Sequence, residues 1–185
     1  MITWIVLAAA VLLVVFVIGI FNKLVRLKNM VEEAWSGIDV QLKKRYSLIP
    51  NLVNTVKGYA THEKEVFENV SAMRSAGINA KTVEEHGRAE NAITQALGRL
   101  FAVAENYPDL RANANFVDLQ SQLSSIENDI QMARRYYNGS ARNKNIAVQS
   151  FPSNIIASMF GFRKSEYFEL EDAAHRETPI VDFSK

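Results

Sequence analysis

Twenty consecutive residues without a charge, Ile2 to Phe21, open the chain, and Asn22-Lys23-Leu24-Val25-Arg26-Leu27-Lys28 follows with no turn residue between. About 20 apolar residues rising about 1.5 Å each cover the roughly 30 Å hydrocarbon core of a bilayer, so the run is long enough to cross one. Ala8-Ala9-Ala10 has the small-residue character of a signal cleavage site, but it lies in mid-run with mostly large apolar residues beyond it. No Lys or Arg precedes the run, so the charged leader region of a signal peptide is missing and retention as an anchor is expected. Lys23, Arg26 and Lys28 all lie on the far flank. The positive-inside rule then places the N-terminus outside and everything after residue 21 in the cytoplasm.

Past the run, Leu24, Leu27, Val31, Ala34, Ile38, Leu42, Arg45 and Ile49 recur at alternating three- and four-residue steps. That spacing is the seam of a helix packed against other helices, in the manner of a coiled coil. One helix is therefore expected to leave the membrane and run on to Pro50, about 70 Å in all. Pro50 has no backbone N–H to donate, so it either kinks this helix or opens the next. Leu52, Val53, Val56, Tyr59 and Ala60 resume the pattern, followed by Val66, Phe67, Val70 and Met73, with Gly77 as the expected stop and Asn79 in a loop. Thr82 with Glu85 forms a capping-box pair that starts a third helix near Val83, and Tyr107-Pro108 closes it. Asn113 is placed to cap a fourth helix whose seam reads Phe116, Leu119, Leu123, Ile126, Ile130, Ala133, Tyr137, Ser140, Lys144 and Ala147. Phe151-Pro152-Ser153-Asn154 interrupts it, and Ser153 is expected to cap a short helix, Ile155 to Phe160, closed by Gly161.

The expected fold is all-α: a single N-terminal transmembrane helix continuing into a long antiparallel bundle of about four helices, plus a short C-terminal helix. The division expected is an anchor at 1–21, a bundle at 22–150, and a tail at 151–185. In that tail Phe162, Tyr167, Phe168, Pro179 and Phe183 are expected to clip onto the bundle.

Composition narrows the function classes. The 185 residues less the anchor leave about 160, the size of one domain. With 48% hydrophobic and 22% charged residues, that remainder can build a core. The absence of cysteine excludes disulfides, thiolate nucleophiles and Cys-type metal sites. A net charge of +1 argues against nucleic acid as a partner. Residues 1–60 carry seven Lys/Arg against three Asp/Glu, so the positive end is the end nearest the membrane and suits anionic lipid.

Motifs for catalysis are weak. His62-Glu63 begins a metallopeptidase-like sequence, but the second helical histidine is missing, and His86 and His175 lie far away. Glu32-Glu33, Glu84-Glu85 and Glu169-Glu171-Asp172 read as solvated faces. No catalytic residue, metal or cofactor is assigned, and a hydrolase built on His62-Glu63 is the weakest reading. Arg45 on the seam requires either a carboxylate, from Asp39 or a facing helix, or a guanidinium reaching past the seam to water. Lys43-Lys44-Arg45 as a run is expected to be solvated. Asn138-Gly139-Ser140 matches a glycosylation acceptor but falls inside a predicted helix.

Several segments together resemble the LemA family. They are Glu33-Ala34-Trp35-Ser36-Gly37-Ile38-Asp39, Arg45-Tyr46, Leu48-Ile49-Pro50-Asn51-Leu52-Val53 and Val56-Lys57-Gly58-Tyr59-Ala60. Ala96-Leu97-Gly98-Arg99-Leu100, Tyr107-Pro108-Asp109-Leu110, Phe151-Pro152-Ser153-Asn154, Phe160-Gly161-Phe162 and Val181-Asp182-Phe183 extend the likeness. The resemblance implies a bacterial inner-membrane protein with one N-terminal span, a long-helix bundle and no agreed activity. It also implies relatives associated with the cell envelope, with organelle formation in magnetic bacteria, and with the neighbourhood of membrane proteases. Around Gly139 to Lys144 this chain departs from the family, being less acidic and lacking an aromatic near Lys144. Gly139, a weak helix former, is there expected to let the helix bend or open to another subunit.

Trp35, Arg45, Pro50, Phe151, Pro152, Phe160 and Phe162 are thus the positions expected to serve structure or interaction, with Lys23, Arg26 and Lys28 flanking the membrane. The leading expectation is a non-enzymatic scaffold that self-associates and organises or remodels the bilayer. The alternative is an adaptor for a membrane protease or an envelope-stress system.

Overall fold

The computed structural model describes residues 1–169, and among these it is all-helical. Glu171, Asp172, His175, Pro179, Val181, Asp182 and Phe183 lie outside the described residues. The order is α1 (Ile2–Lys57), α2 (Lys64–Asn79), α3 (Val83–Ala104), the single turn α4 (Pro108–Arg111), α5 (Ala114–Gln149) and α6 (Ser153–Met159). Four long helices and one short C-terminal helix match the expected fold; α4 is the addition. It starts on Pro108 because a residue without an N–H fits the first turn of a helix.

The chain divides into two compact units, each built from two stretches of sequence. The first holds Met1–Lys43 and Ile126–Tyr167; the second holds Lys44–Ser125 with Phe168 and Glu169. The boundaries fall inside α1 and α5, so both helices contribute to both units.

In the first unit the α1 seam is inside as expected: Leu24, Val31, Ala34, Ile38 and Leu42 are buried. Leu24 shares a cluster with Ala147, and Trp35 meets Tyr137 edge-on at 5.5 Å, so α1 and α5 run antiparallel here. Ile126, Ile130, Tyr137, Ala141 and Ala147 supply the facing stripe of α5. Helix α5 continues through Gly139 without a break, and a Cβ built there meets nothing within 4 Å.

The second unit joins the end of α1 to a helical hairpin of α2 and α3, with the start of α5. Its core is Ile49, Leu52, Val53, Val56, Phe67, Val70, Ile93, Leu97, Leu100, Leu110 and Phe116. Phe101 and Phe116 meet edge-on. Two helix starts are capped as the sequence implies. Thr82 accepts from the Glu85 N–H at 3.1 Å while the Glu85 carboxylate accepts from the N–H groups of Lys81 at 2.7 Å and Thr82 at 3.2 Å. Asn113 Oδ1 accepts from the Phe116 N–H at 3.1 Å.

Two expectations about termini need correction, and a third holds. Gly77 does not stop α2, which runs to Asn79; it is buried instead, because a Cβ there would come within 2.7 Å of the Tyr46 hydroxyl and 3.0 Å of Ile93. Ser153 does not cap α6 by accepting from its backbone. It is the first helical residue, and its hydroxyl reaches back to the Ala147 carbonyl at 2.6 Å and the Ser150 carbonyl at 2.9 Å. It therefore satisfies acceptors left open at the end of α5. Gly161 does close α6, at φ +73°, with the Phe162 N–H on the Ala157 carbonyl at 2.9 Å. That is the Schellman closure, which needs a left-handed residue at this position.

The tail beyond α6 is held chiefly by polar contacts in the first unit and by one aromatic in the second. Asn145, itself buried, donates to the Ser165 carbonyl at 2.9 Å and accepts from the Ser165 N–H at 2.7 Å. Tyr137 donates its hydroxyl to the Glu166 carbonyl at 2.9 Å. Phe168 is fully buried, and the Glu169 carbonyl passes so close to α3 that a Cβ on Gly87 would lie 2.5 Å from it.

The capping box gives a signed pH effect. Backbone N–H groups of Lys81 and Thr82 hold the Glu85 carboxyl below its ordinary value of 4.5. A carboxyl lowered by folding contributes stability that is complete above 4.5 and is lost as pH falls through the folded value. Thr82→Ala should cost about 1 kcal/mol in urea unfolding at neutral pH. Glu85→Gln should flatten the acid limb of the unfolding midpoint against pH. In α5, Gly139→Ala should stabilise by about 1 kcal/mol, because the space is open and alanine favours the helix.

Candidate functional site

The densest polar arrangement lies in the second unit, where α1, α2 and α3 meet around Arg45 and Tyr46. Arg45 is only 5% exposed and Glu90 of α3 only 2%. The guanidinium donates through Nη1 to Glu90 Oε2 at 3.0 Å and through Nη2 to Thr94 Oγ1 at 2.8 Å. The Tyr46 hydroxyl donates to the other carboxylate oxygen of Glu90. A facing-helix acid is therefore the partner Arg45 requires; Asp39 is engaged with Lys43 at 2.6 Å. The basic run splits, with Lys43 and Lys44 exposed and Arg45 inside.

Pro50 belongs to the same arrangement. Helix α1 carries it internally and continues to Lys57, so it neither ends the helix nor opens another. A proline at 50 leaves the carbonyl four residues earlier, that of Tyr46, without its helical donor. Arg74 of α2 supplies one: its Nε donates to the Tyr46 carbonyl at 2.7 Å. Gly77, one turn on, leaves room for the Tyr46 ring to reach Glu90. Arg45, Tyr46, Arg74, Glu90 and Thr94 satisfy one another, and the arrangement does structural work: it ties three helices together.

The first unit carries the membrane-flank positions. Lys23 and Arg26 are exposed, and Lys28 forms an exposed pair with Glu32 at 3.7 Å. Around them the end of the apolar run is partly covered. Val17, Ile20 and Phe21 pack on the cluster of Leu24, Ala147, Ile156 and Ala157. Phe21 meets Phe160 at 4.9 Å and Phe162 at 5.8 Å, both edge-on. Pro152 precedes α6 and lines a shallow groove with Phe151 and Ile20. Phe151, at 81% exposure, and Phe160, at 54%, are largely exposed; of the aromatics expected to clip the tail, Phe162 is half-buried and Phe168 buried, whereas Tyr167 is exposed.

On α5, Lys144 donates to Ser165 Oγ at 2.8 Å. Burial lowers its pKa, with Glu32 opposing and Lys28 reinforcing that shift. Tyr137 is pushed up by burial. With Trp35 on its ring and Glu166 on its hydroxyl, it ties α1, α5 and the tail together.

The positions considered for chemistry do not converge. His62 is exposed in the turn before α2, and so is not on a helix. His86 lies on α3. Among the described residues no group of three His, Asp or Glu is placed to hold a metal. Asn138 to Ser140 lies inside α5 with Ser140 buried.

Sequence reasoning missed Glu90, Arg74 and Asn145, whereas Phe168, expected to pack on the bundle, is fully buried. Glu90 had one usable signal, since Arg45 on a seam demands an acid and Glu90 is three residues before Ile93 on the apolar stripe of α3. Arg45→Met alone should destabilise the protein by about 3–5 kcal/mol in denaturant unfolding, because Glu90 is left buried without its cation. Adding Glu90→Leu should restore most of that loss.

The LemA family model matches residues 34–183. The chain is 27% identical to magnetosome protein MamQ 1 of Paramagnetospirillum magneticum over 87% of its own length and 68% of the relative's. MamQ of Magnetospirillum gryphiswaldense gives the same identity and coverage. It is 26% identical to the protein LemA of Metamycoplasma hominis over 95% of this chain and 83% of that one. The matched region takes in both the Arg45–Glu90 arrangement and the α6 segment, and the chain belongs to the LemA family.

Proposed function

We propose that this protein is a membrane-anchored, non-enzymatic scaffold that associates with copies of itself and organises the bacterial inner membrane. The observation that carries this reading is the continuity of α1. A single helix holds an exposed, uncharged run with a mean hydropathy of 3.1 and then the buried seam of the helical units. No flexible linker separates anchor from domain, so an arrangement imposed on the anchors in the bilayer is passed into the same helix that builds the domain. The most polar interior group, Arg45 with Glu90, is engaged in holding helices together. Three relatives bear the name of a magnetosome protein, which favours an organising role at a membrane over a soluble one.

Exposed side chains on the long helices favour self-association. Val40, Met132 and Tyr136 of the first unit are about half exposed, on helices whose inner stripes are already filled. A cytoplasmic domain is the orientation that exposed Lys23 and Arg26 support under the positive-inside rule.

Because the natural chain has no cysteine, Val40→Cys and Met132→Cys give clean single-site crosslinking in native membranes. Dimer-sized and larger products are expected at one or both positions, and the detergent-extracted protein should exceed monomer mass by light scattering. A strictly monomeric protein that crosslinks only to a different, stoichiometric partner would overturn the scaffold reading in favour of an adaptor.

A further inference from the structure

We propose that α6 and its flanks form an interfacial foot, seated in the headgroup–acyl boundary beside the span and holding anionic phospholipid in a basic groove. The proposal rests on the reading of α1 as a membrane span.

Depth is the first argument. The uncharged run ends at Phe21 and the first cation is Lys23, so a spanning α1 crosses from hydrocarbon to headgroups at this turn. Phe160 and Phe162 sit against Phe21, and Ile156 and Ala157 pack on Leu24. Helix α6 is therefore pinned at the level where the bilayer changes from apolar to polar.

Exposure is the second. In seven residues α6 presents Ile155 at 50% and Met159 at 72% exposure, and its flanks add Phe151 at 81% and Phe160 at 54%. Its inner residues Ile156 and Ala157 are buried, so the outer apolar face is surplus to the packing of the first unit. Water is a costly neighbour for four large side chains placed together, whereas the interfacial region of a bilayer is where such a face gains by burial.

Charge is the third. An open groove beside Phe21 and Phe160 is lined by Lys28, Lys144, Arg163 and Lys164. Of these, Lys28 is paired at the surface with Glu32 and Lys144 leans on Ser165 Oγ. Four cations beside an apolar wall at headgroup depth match a lipid phosphate with its acyl chain along the wall. Lysine and arginine near an anionic leaflet contribute attraction that falls off within a Debye length, so placement at the surface is what gives the charges their effect.

The test uses the full chain in vesicles of phosphatidylcholine mixed with phosphatidylglycerol, one of the two carrying bromine near the carboxyl end of its acyl chains. A fluorophore is attached at one site per sample, through Met159→Cys, Val11→Cys or Val117→Cys. Position 159 is expected to be quenched, position 117 unquenched, and position 11 quenched only when the bromine is moved deeper along the chain. At 159 brominated phosphatidylglycerol should quench at least twofold more than brominated phosphatidylcholine, and Arg163→Gln with Lys164→Gln should bring the two together. If 159 is unquenched while 11 is quenched, the foot is overturned and the anchor stands. If neither is quenched, both fall. Equal quenching at 159 by the two lipids overturns the anionic assignment.

Discussion

Much of the second unit depends on what happens to one carbonyl. Pro50 cannot donate to Tyr46, and an unpaired backbone acceptor inside a core costs about as much as a lost hydrogen bond. Arg74 removes that penalty by reaching from α2 to the Tyr46 carbonyl. The Tyr46 side chain in turn shares Glu90 with Arg45 and so engages α3. A local defect in one helix thus becomes the point where three helices are tied together. It also explains why α1 survives a proline in mid-course: the missing donor is replaced by a charged one from a neighbouring helix.

Much of the architecture was legible in the residues, and the illegible parts share a cause. Seams such as Leu24 to Ile49 were readable because burial on a helix imposes a period, and the period is visible without knowing the partner. The Thr82–Glu85 box and the Asn113 cap were readable because both bonds close within four residues. Arg45's need for an acid was readable too, but not its satisfaction by Glu90, forty-five positions away. Gly77 looked like a terminator because sequence shows a missing side chain, not what occupies its space; here the occupant is the Tyr46 hydroxyl. Ser153 was placed at the right junction and given the wrong direction, since a hydroxyl can serve the helix before it as well as the one after.

The first unit puts opposite demands on neighbouring residues. Phe21, Leu24 and Phe162 bind α1, α5 and α6 into one packed cluster, while Phe151, Ile155 and Met159 turn outward and Phe160 touches Phe21 with much of its surface still exposed. The packing of the first unit leaves that second set largely exposed. In the proposed foot, the first set holds α6 beside the end of the apolar run and the second is what the bilayer boundary would bury. Helix α1 alone would leave the membrane as a bare rod.

The hold on the tail has a different kind of consequence. Asn145 grips both the N–H and the carbonyl of residue 165, groups that every residue but proline possesses. Tyr137 likewise takes the carbonyl of residue 166. Such contacts read chain position and are largely blind to side-chain identity. These backbone contacts constrain the length of the segment between α6 and Phe168, over and above the side-chain contacts of Phe162 and Ser165. A one-residue insertion or deletion there would offer Asn145 the wrong peptide, or carry Phe168 out of its pocket. Ancestry in this stretch would be better recorded by spacing than by identity.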